Sequence, residues 1–308
     1  MANLTKVSVI IPTYNRAHIV GRSIESALCQ THRDLEILVV DDGSTDQTLD
    51  AVTPFLRYQQ VRYLRHERNK GHQAARNTGI KNSSGDYIAF LDSDDTWISQ
   101  TIELQLDAIN KIGATCVAIT GMWVITEGGS KTKYIKKYDG YVYPEMLAAH
   151  GPNFCCLLVP IEALRQIGFL DESITAFADW DMCISLSKFY KFTTLNAPCT
   201  LHYENEPNSV TKNMLQKTLA YERIVDKNHT DMLQFIGKRG LARHHRLVAF
   251  MFEREGEFGR SKAHIIKAFK IDSTNPVGFL PALSVLLGRR VYHLVLTLII
   301  LIGSLLQK

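Results

Sequence analysis

The sequence is poor in the features that mark several functional classes at once. Its six cysteines, at 29, 116, 155, 156, 183 and 199, show neither metal-ligand spacing nor a regular disulfide framework. A reduced, cytosolic compartment is the simpler expectation. The opening Met-Ala-Asn-Leu-Thr-Lys carries no apolar signal segment. A spanning helix needs about 20 apolar residues, with a lower limit near 17, and the run 291–306 stops just short. The basic residues are not interleaved with aromatics in a nucleic-acid-binding signature, so nucleic acid is not expected as a partner. Residues 256–276 look like half of a tetratricopeptide unit. One copy makes no array, and a helical hairpin packed on the main domain is the plainer reading.

What is present is a globular composition, 45% hydrophobic and 21% charged. At 308 residues the chain has room for one large α/β domain and a smaller appendage. The formal net charge of +4 hides an asymmetry. From Gln234 onward twelve Lys/Arg face four Asp/Glu, a balance of +8, which leaves −4 for the rest. A basic C-terminal part on an acidic N-terminal part points to an anionic surface as a partner.

The first hundred residues alternate between strand and helix. Strands are expected at Val7–Ile11, Leu35–Val40, Val61–Leu64 and Tyr87–Leu91, and helices at Ala17–Gln30, Asp46–Tyr58 and Gly71–Lys81. Such alternation implies a parallel, doubly covered sheet. The middle is mixed, with β-rich Thr115–Thr126 and a Gly128-Gly129 hairpin turn into Tyr134–Tyr138. Helices are expected at Pro160–Gly168 and Asp179–Phe189, and from about Met214 the pattern is helical throughout.

The most informative junction is Phe90-Leu-Asp-Ser-Asp-Asp-Thr-Trp97, where an apolar strand delivers Asp92, Asp94 and Asp95 to the carboxyl end of the sheet. Open α/β folds bind ligands there. Three carboxylates so close repel one another unless a cation sits among them, and an Asp-x-Asp pair suits a hard divalent ion that keeps water and phosphate oxygens. The plain alternative is a helix cap at Asp95 before Thr96-Trp97-Ile98.

Several further pieces stand in order: Val7-Ser-Val-Ile-Ile-Pro-Thr-Tyr-Asn15, Val39-Val-Asp-Asp-Gly-Ser-Thr-Asp46, Asn69-Lys-Gly71 with Ala74-Ala-Arg-Asn77, the acidic motif, Gly168-Phe-Leu-Asp-Glu172 and Asp179-Trp-Asp181. Together they make residues 5–211 resemble the inverting glycosyltransferases of family 2. The resemblance implies an α/β GT-A fold: a Rossmann-like nucleotide-binding sheet with a mixed acceptor region, here followed by a C-terminal helical extension. It also implies an enzyme that moves a sugar from a nucleoside-diphosphate sugar to an acceptor hydroxyl with the help of Mg²⁺ or Mn²⁺.

Carried over to this sequence, Asp92 contacts the ribose and Asp94 holds the metal, with Ser93 between them. Pro12, Thr13, Tyr14 and Asn15 lie where a nucleotide rests against backbone. Asp41 and Asp42 end the second strand, where a carboxylate accepts from a base or ribose, or else simply forms a turn. Gly71 permits close approach of a ligand or starts a helix. Arg76 braces the acidic loop or approaches the phosphates. The family's catalytic base follows a Glu that is Ala178 here. Asp179 matches the base and Asp181 is the fallback. A helix N-terminus would lower the pKa of Asp179 and keep it ionised. In the segment 203–211, Glu204 and Glu206 stand where Arg and His are usual, so this loop is read as facing the acceptor. His202 is a further candidate ligand for metal or phosphate, against the ordinary reading of a structural histidine.

Two other functions share parts of this pattern. A nucleotidyltransferase also uses paired carboxylates, but Pro12-Thr-Tyr-Asn-Arg16 is not the Gly-rich phosphate loop it opens with. A degenerate, membrane-associated nucleotide-sugar binding module is suggested by positions 178, 204 and 206, and opposed by Asp92, Asp94 and Asp179. The apolar stretches 277–287 and 291–306 flank Arg289 and Arg290, and His293, Thr297 and Ser304 share one helical face. They predict a tail that lies in the membrane interface. The expected division is a transferase domain over 1–213, a helical extension over 214–275 and a membrane-associating tail over 276–308. The expected place is the cytoplasmic face of a membrane, peripheral or C-terminally anchored. The expected acceptor is a glycan or lipid-linked glycan, in cell-surface polysaccharide synthesis.

Overall fold

The computed structural model describes residues 5–113, 116–126, 128–204, 213–274, 288, 290–291 and 294–295. The chain divides into two compact units, one of residues 1–146 and 150–209, the other of 147–149 and 210–308.

The first unit is built on one nine-stranded sheet in the order β3-β2-β1-β4-β8-β6-β9-β5, with β7 paired to β6. The strands are β1 (Val7–Thr13), β2 (Leu35–Asp41), β3 (Val61–Arg65), β4 (Tyr87–Phe90), β5 (Thr96–Trp97), β6 (Cys116–Ile125), β7 (Lys131–Tyr134), β8 (Leu157–Pro160) and β9 (Lys191–Tyr203). Every residue of β1 and β2 is buried, as the near-continuous Val/Ile/Leu runs of a doubly covered parallel sheet require. β1 is parallel to both β2 and β4. Its register sets Thr13 beside Asp41 and Ile10 beside Phe90. The carboxyl ends of β1, β2 and β4 therefore open on one edge, at the point where strand order reverses between β1 and β4. Beyond β4 the sheet is mixed: β4–β8 and β8–β6 are antiparallel and β6–β9 is parallel.

The helices that cover the sheet differ from the periodicity in instructive ways. The helix expected over Asp46–Tyr58, with an end near Pro54, is an α-helix over Thr48–Val52 followed by a 3₁₀ turn over Thr53–Arg57. Pro54 has no N–H to continue the α-helical ladder. The strand expected at Tyr134–Tyr138 is shifted earlier, to β7, which closes an antiparallel hairpin with β6 around Gly128-Gly129. Asp95 caps no helix, because Thr96-Trp97 pairs with β9 and the next helix begins at Thr101.

The second unit is helical: Met214–Lys227, His229–Phe235, Gly237–Arg254 and Phe258–Ile271. The Asn213 side chain accepts from Gln216 N and caps the first of these. The last two pack as a hairpin, which begins well before the stretch 256–276 that the sequence suggested. The apolar stretches 277–287 and 291–306 lie outside the described residues or barely within them. Among the described residues no helix is long and apolar enough to cross a membrane.

The core of this unit contains histidines as well as Leu241, Val248, Phe252 and Ile265. His244 donates through Nε2 to the Leu147 carbonyl at 2.9 Å and accepts the Tyr221 hydroxyl at Nδ1 at 2.8 Å. His264 donates through Nε2 to Glu222 at 2.7 Å, and its Nδ1 faces Nδ1 of His245 at 3.1 Å. A bond between two ring nitrogens needs one proton between them, so protonating both rings breaks it. Burial holds His244 neutral down to about 4 and His245 down to about 3, the latter also repelled by His264, Lys267 and His229.

These values fix the sign of a pH effect. The unfolded chain binds a proton at each of the two rings below about pH 6.5, while the folded chain does not. Stability is thus lost as pH falls from about 6.5 toward those depressed values, by about 1.4 kcal/mol per pH unit for each histidine. Thermal unfolding followed from pH 7.5 to pH 5 should show a falling midpoint, and His245→Gln should flatten the slope. A midpoint constant over that range would refute this account of the core.

Candidate functional site

The edge at the ends of β1, β2 and β4 gathers most of the residues that the sequence singles out. The first loop is held by the second. Asn15 has φ 52°, its N–H donates to Ser44 Oγ at 2.9 Å, and its Oδ1 accepts from Thr45 N at 2.8 Å. Pro12 and Thr13 are buried within β1, whereas Tyr14 is 43% exposed and presents its ring at the edge.

Asp41 and Asp42 are both buried, and both are engaged by the protein. Asp41 accepts Ser44 N at 2.8 Å and the Tyr63 hydroxyl. Asp42 accepts His66 Nδ1 at 2.7 Å, Lys70 N at 2.9 Å and Gly71 N at 2.7 Å. A single carboxylate so ties the β2 loop to the loop that opens the helix His72–Lys81. Gly43 is required where these loops meet: its φ is +78°, and a Cβ there would lie 2.7 Å from the Arg68 backbone. Gly71, with φ +97°, directly precedes the helix, so it does start one, as expected. Asn77 on that helix donates to the Leu170 carbonyl at 2.9 Å and accepts Leu170 N at 3.0 Å, which fixes the Gly168-Phe-Leu-Asp-Glu172 segment.

Each acidic-motif carboxylate has a cationic neighbour. Asp92 is bonded to Arg76. Asp94 lies 3.6 Å from Arg16, and its carbonyl accepts from Arg22. Asp95 is paired with His202 at 2.9 Å. Ser93 is buried between them. Of the two sequence readings for Arg76, the ion pair with the acidic loop is the one seen. Its guanidinium also lies 4.2 Å over the Phe154 ring, and its Nε is buried with no hydrogen-bond partner.

These cations do not fully offset the acids. The Asp94 carboxyl is pushed up to about 6 by burial and by Asp92 and Asp95, against Arg16. A carboxylate that burial and two like-charged neighbours push up gains from a divalent cation beside it, so Asp94 fits one. Among the described residues no three His, Cys, Asp or Glu side chains are grouped to hold a metal, so most ligands would come from phosphate or water, as suits Mg²⁺. His202 is raised to about 9 by its bond to Asp95. It is a cation at neutral pH, and it could ligate a metal only by losing that proton.

Asp179 opens the helix Ala178–Ser187, after Phe177 in a left-handed conformation at φ 57°. Its Oδ1 accepts Trp180 N at 2.8 Å. Trp180 is buried and donates to the Met146 carbonyl at 2.6 Å, which anchors the helix start. Contrary to the lowering expected from a helix N-terminus, the Asp179 carboxyl is raised to about 6. Burial outweighs the Trp180 N–H, and Asp92 adds repulsion against Arg76 and Lys136. Asp181 is 4% exposed on the inner side of the helix. Asp179 thus shares an electrostatic neighbourhood with Asp92 of the acidic motif and with Arg76.

Arg16, His66, Phe154 and Lys136 complete this edge, and no motif flagged them. His72, held neutral down to about 4 by burial and by Arg76, belongs with them. Glu204 continues from β9 and donates its N–H to the Ile125 carbonyl at 2.9 Å. Glu206 lies outside the described residues.

A sequence profile for the family described as glycosyl transferase family 2 matches residues 8–168. An uncharacterized glycosyltransferase of Rickettsia felis is 36% identical over 200 residues, which cover 56% of this chain and 32% of that protein. The chain thus spans about a third of the length of the first curated relatives it matches. A chondroitin synthase of Escherichia coli is 34% identical over 225 residues, 68% of this chain and 31% of the synthase. Among solved structures, S. aureus TarS residues 1–349 in complex with UDP-GlcNAc superposes with a TM-score of 0.68 at 18% identity, over 88% of this chain and 84% of that one. That likeness is one of fold.

Proposed function

The chain belongs to glycosyl transferase family 2, and from that membership we propose that it is an inverting, metal-dependent transferase that moves a sugar from a nucleoside-diphosphate sugar to an acceptor hydroxyl. Polysaccharide synthesis is the setting suggested by the chondroitin synthase among its relatives. The observation that supports the reading is that the Asp179 carboxyl lies within the electrostatic reach of Asp92 and Arg76, which are themselves paired. It puts a basic carboxylate beside the motif assigned to the donor.

In this reading Pro12 to Asn15, Asp41, Asp92 and Ser93 line the donor side, and Asp42 with Gly71 supports it from beneath. Asp94 would hold Mg²⁺ or Mn²⁺, which when bound supplies a Lewis acid for the charge that grows on the departing diphosphate. Asp179 takes the proton of the acceptor hydroxyl as attack proceeds. A carboxylate raised to about 6 is a stronger base than an ordinary one and is still ionised at neutral pH. Arg76 keeps Asp92 in place and holds the two carboxylates apart. His202, as a cation, offsets Asp95 of the acidic motif.

Asp179→Asn should lower kcat by about 10²–10⁴-fold with little change in donor KM. In the unsubstituted enzyme kcat/KM should rise with pH and level off above about 6, because the base works only when ionised. If Asp181→Asn is the more damaging change, the base is misassigned. Asp94→Asn should abolish Mn²⁺-dependent turnover without lowering the unfolding midpoint, because it removes a carboxylate that its neighbours destabilise. Unchanged Mn²⁺ dependence would sink the metal assignment.

The acceptor side is proposed to lie at the cytoplasmic face of a membrane, with a lipid-linked glycan as acceptor. Support comes from the apolar stretches 277–287 and 291–306 beside Arg289 and Arg290. Removing the residues after Asn275 should release the protein from membranes and spare donor hydrolysis. In-plane attachment predicts release of the intact chain by carbonate. Retention in the pellet would mean a spanning anchor, and a chain that never sediments would end the membrane reading.

A further inference from the structure

The outer face of the Gly237–Arg254 helix carries an unusual charge pattern. Arg239, Arg243, Arg246, Phe250 and Arg254 follow one another at spacings of four, three, four and four residues. At about 100° per residue they fall within one narrow stripe, running about 22 Å along the axis. Arg239, Arg243 and Arg254 are exposed and Arg246 and Phe250 are half-buried. Leu247, on the flank of the stripe, is 41% exposed. The opposite face buries Leu241, His244, His245, Val248 and Phe252.

A basic helix face is most often just a solvated one, but such faces usually alternate acids with bases at i,i+4. This stripe has no acid. Arg239 and Arg243 are a like-charged i,i+4 pair, which destabilises a helix. The first turn holds Lys238 and Arg239 and no acidic residue, against the preference of a helix N-terminus for negative charge. Arg246 is lowered by burial and by Arg239 and Arg243, against Asp272, and its Nη1 is buried with no hydrogen-bond partner. The fold thus concentrates repulsion that an external array of negative charges would relieve.

We propose that this arginine face docks on a bilayer of anionic phospholipids. Charge complementarity calls for a polyanion. The straight stripe, the flanking Leu247 and Phe250, and the apolar stretches that follow in the sequence favour a lipid surface, where arginines meet headgroups and apolar side chains enter the interface. The inference rests on the membrane placement proposed above, and it adds a lipid preference that an apolar tail alone does not supply.

The test is co-sedimentation of the full chain with neutral phosphatidylcholine vesicles and with vesicles that also contain phosphatidylglycerol. The chain should prefer the anionic vesicles, and salt should erase the preference. The combined variant Arg239→Gln, Arg243→Gln, Arg254→Gln should lose about five-fold per arginine, about a hundred-fold in all. Its binding to neutral vesicles and its donor hydrolysis should not change, and its unfolding midpoint should not fall, because the like-charged Arg239/Arg243 pair is relieved. The same three positions changed to Lys should keep the preference. An undiminished preference in the Gln variant would overturn the proposal, as would duplex DNA that binds as tightly as the anionic vesicles and is lost in the same variant. A chain with no affinity for neutral vesicles but an intact arginine-dependent preference would end the tail reading and uphold this one.

Discussion

The Arg76 guanidinium lies against the Phe154 ring, bonded to Asp92 and within the field of Asp179. Its charge lowers the Asp179 carboxyl against burial and Asp92, so without it Asp179 would rise further and lose the ionised form that the proposed role needs. The Phe154 ring lies 4.2 Å from the guanidinium carbon, and Gln73 accepts from Nη1 at 3.3 Å, so the cation is positioned by packing as well as by charge. Arginine suits this place better than lysine, because a planar fork can stack and bond at once.

The same logic of one group serving several loops recurs at Asp42. Its two oxygens collect three donors, the His66 ring and the Lys70 and Gly71 N–H groups, all from the loop between β3 and the helix His72–Lys81. Buried charge is costly unless it is hydrogen-bonded, and here the bonds come from backbone N–H groups that the loops would otherwise leave unpaired. The loops that border the edge are therefore set from beneath. Tyr14, at the same edge, is left 43% exposed.

The sequence made the strands and the edge legible for a physical reason. Val7–Ile11, Leu35–Val40 and Tyr87–Leu91 are apolar on both faces, and each stops at a polar cluster, so both the buried sheet and its functional edge could be read from the chain. The signal failed where pairing depends on distant partners. β9 alternates weakly, contains Pro198 and Asn196, and is held by a long register with β6 rather than by its own pattern. Asp95 read as a helix cap because its burial beside His202 comes from β9. The pKa of Asp179 was misjudged in direction for the same reason. A helix N-terminus is visible in sequence, but the burial that overrides it is not. His66 and Phe154 carry no motif, and only the three-dimensional edge gives them a role.

The acidity of this edge creates a tension that shapes the proposed chemistry. Burial and repulsion raise Asp179 and Asp94 alike to about 6. For Asp179 the rise is useful, since a base is most effective when its pKa approaches the working pH. For a diphosphate donor the same field is repulsive, and Arg16, Arg76 and His202 are each already committed to a carboxylate. Adding another arginine at Asp94 would favour the donor but would also pull Asp179 down and weaken the base. A cation that arrives with the donor avoids that conflict, because its charge is largely spent on the phosphates it carries in. A site that leaves one carboxylate under-compensated, rather than one that is fully neutralised, is therefore what the proposed transfer demands, and Asp94 is the residue left in that condition.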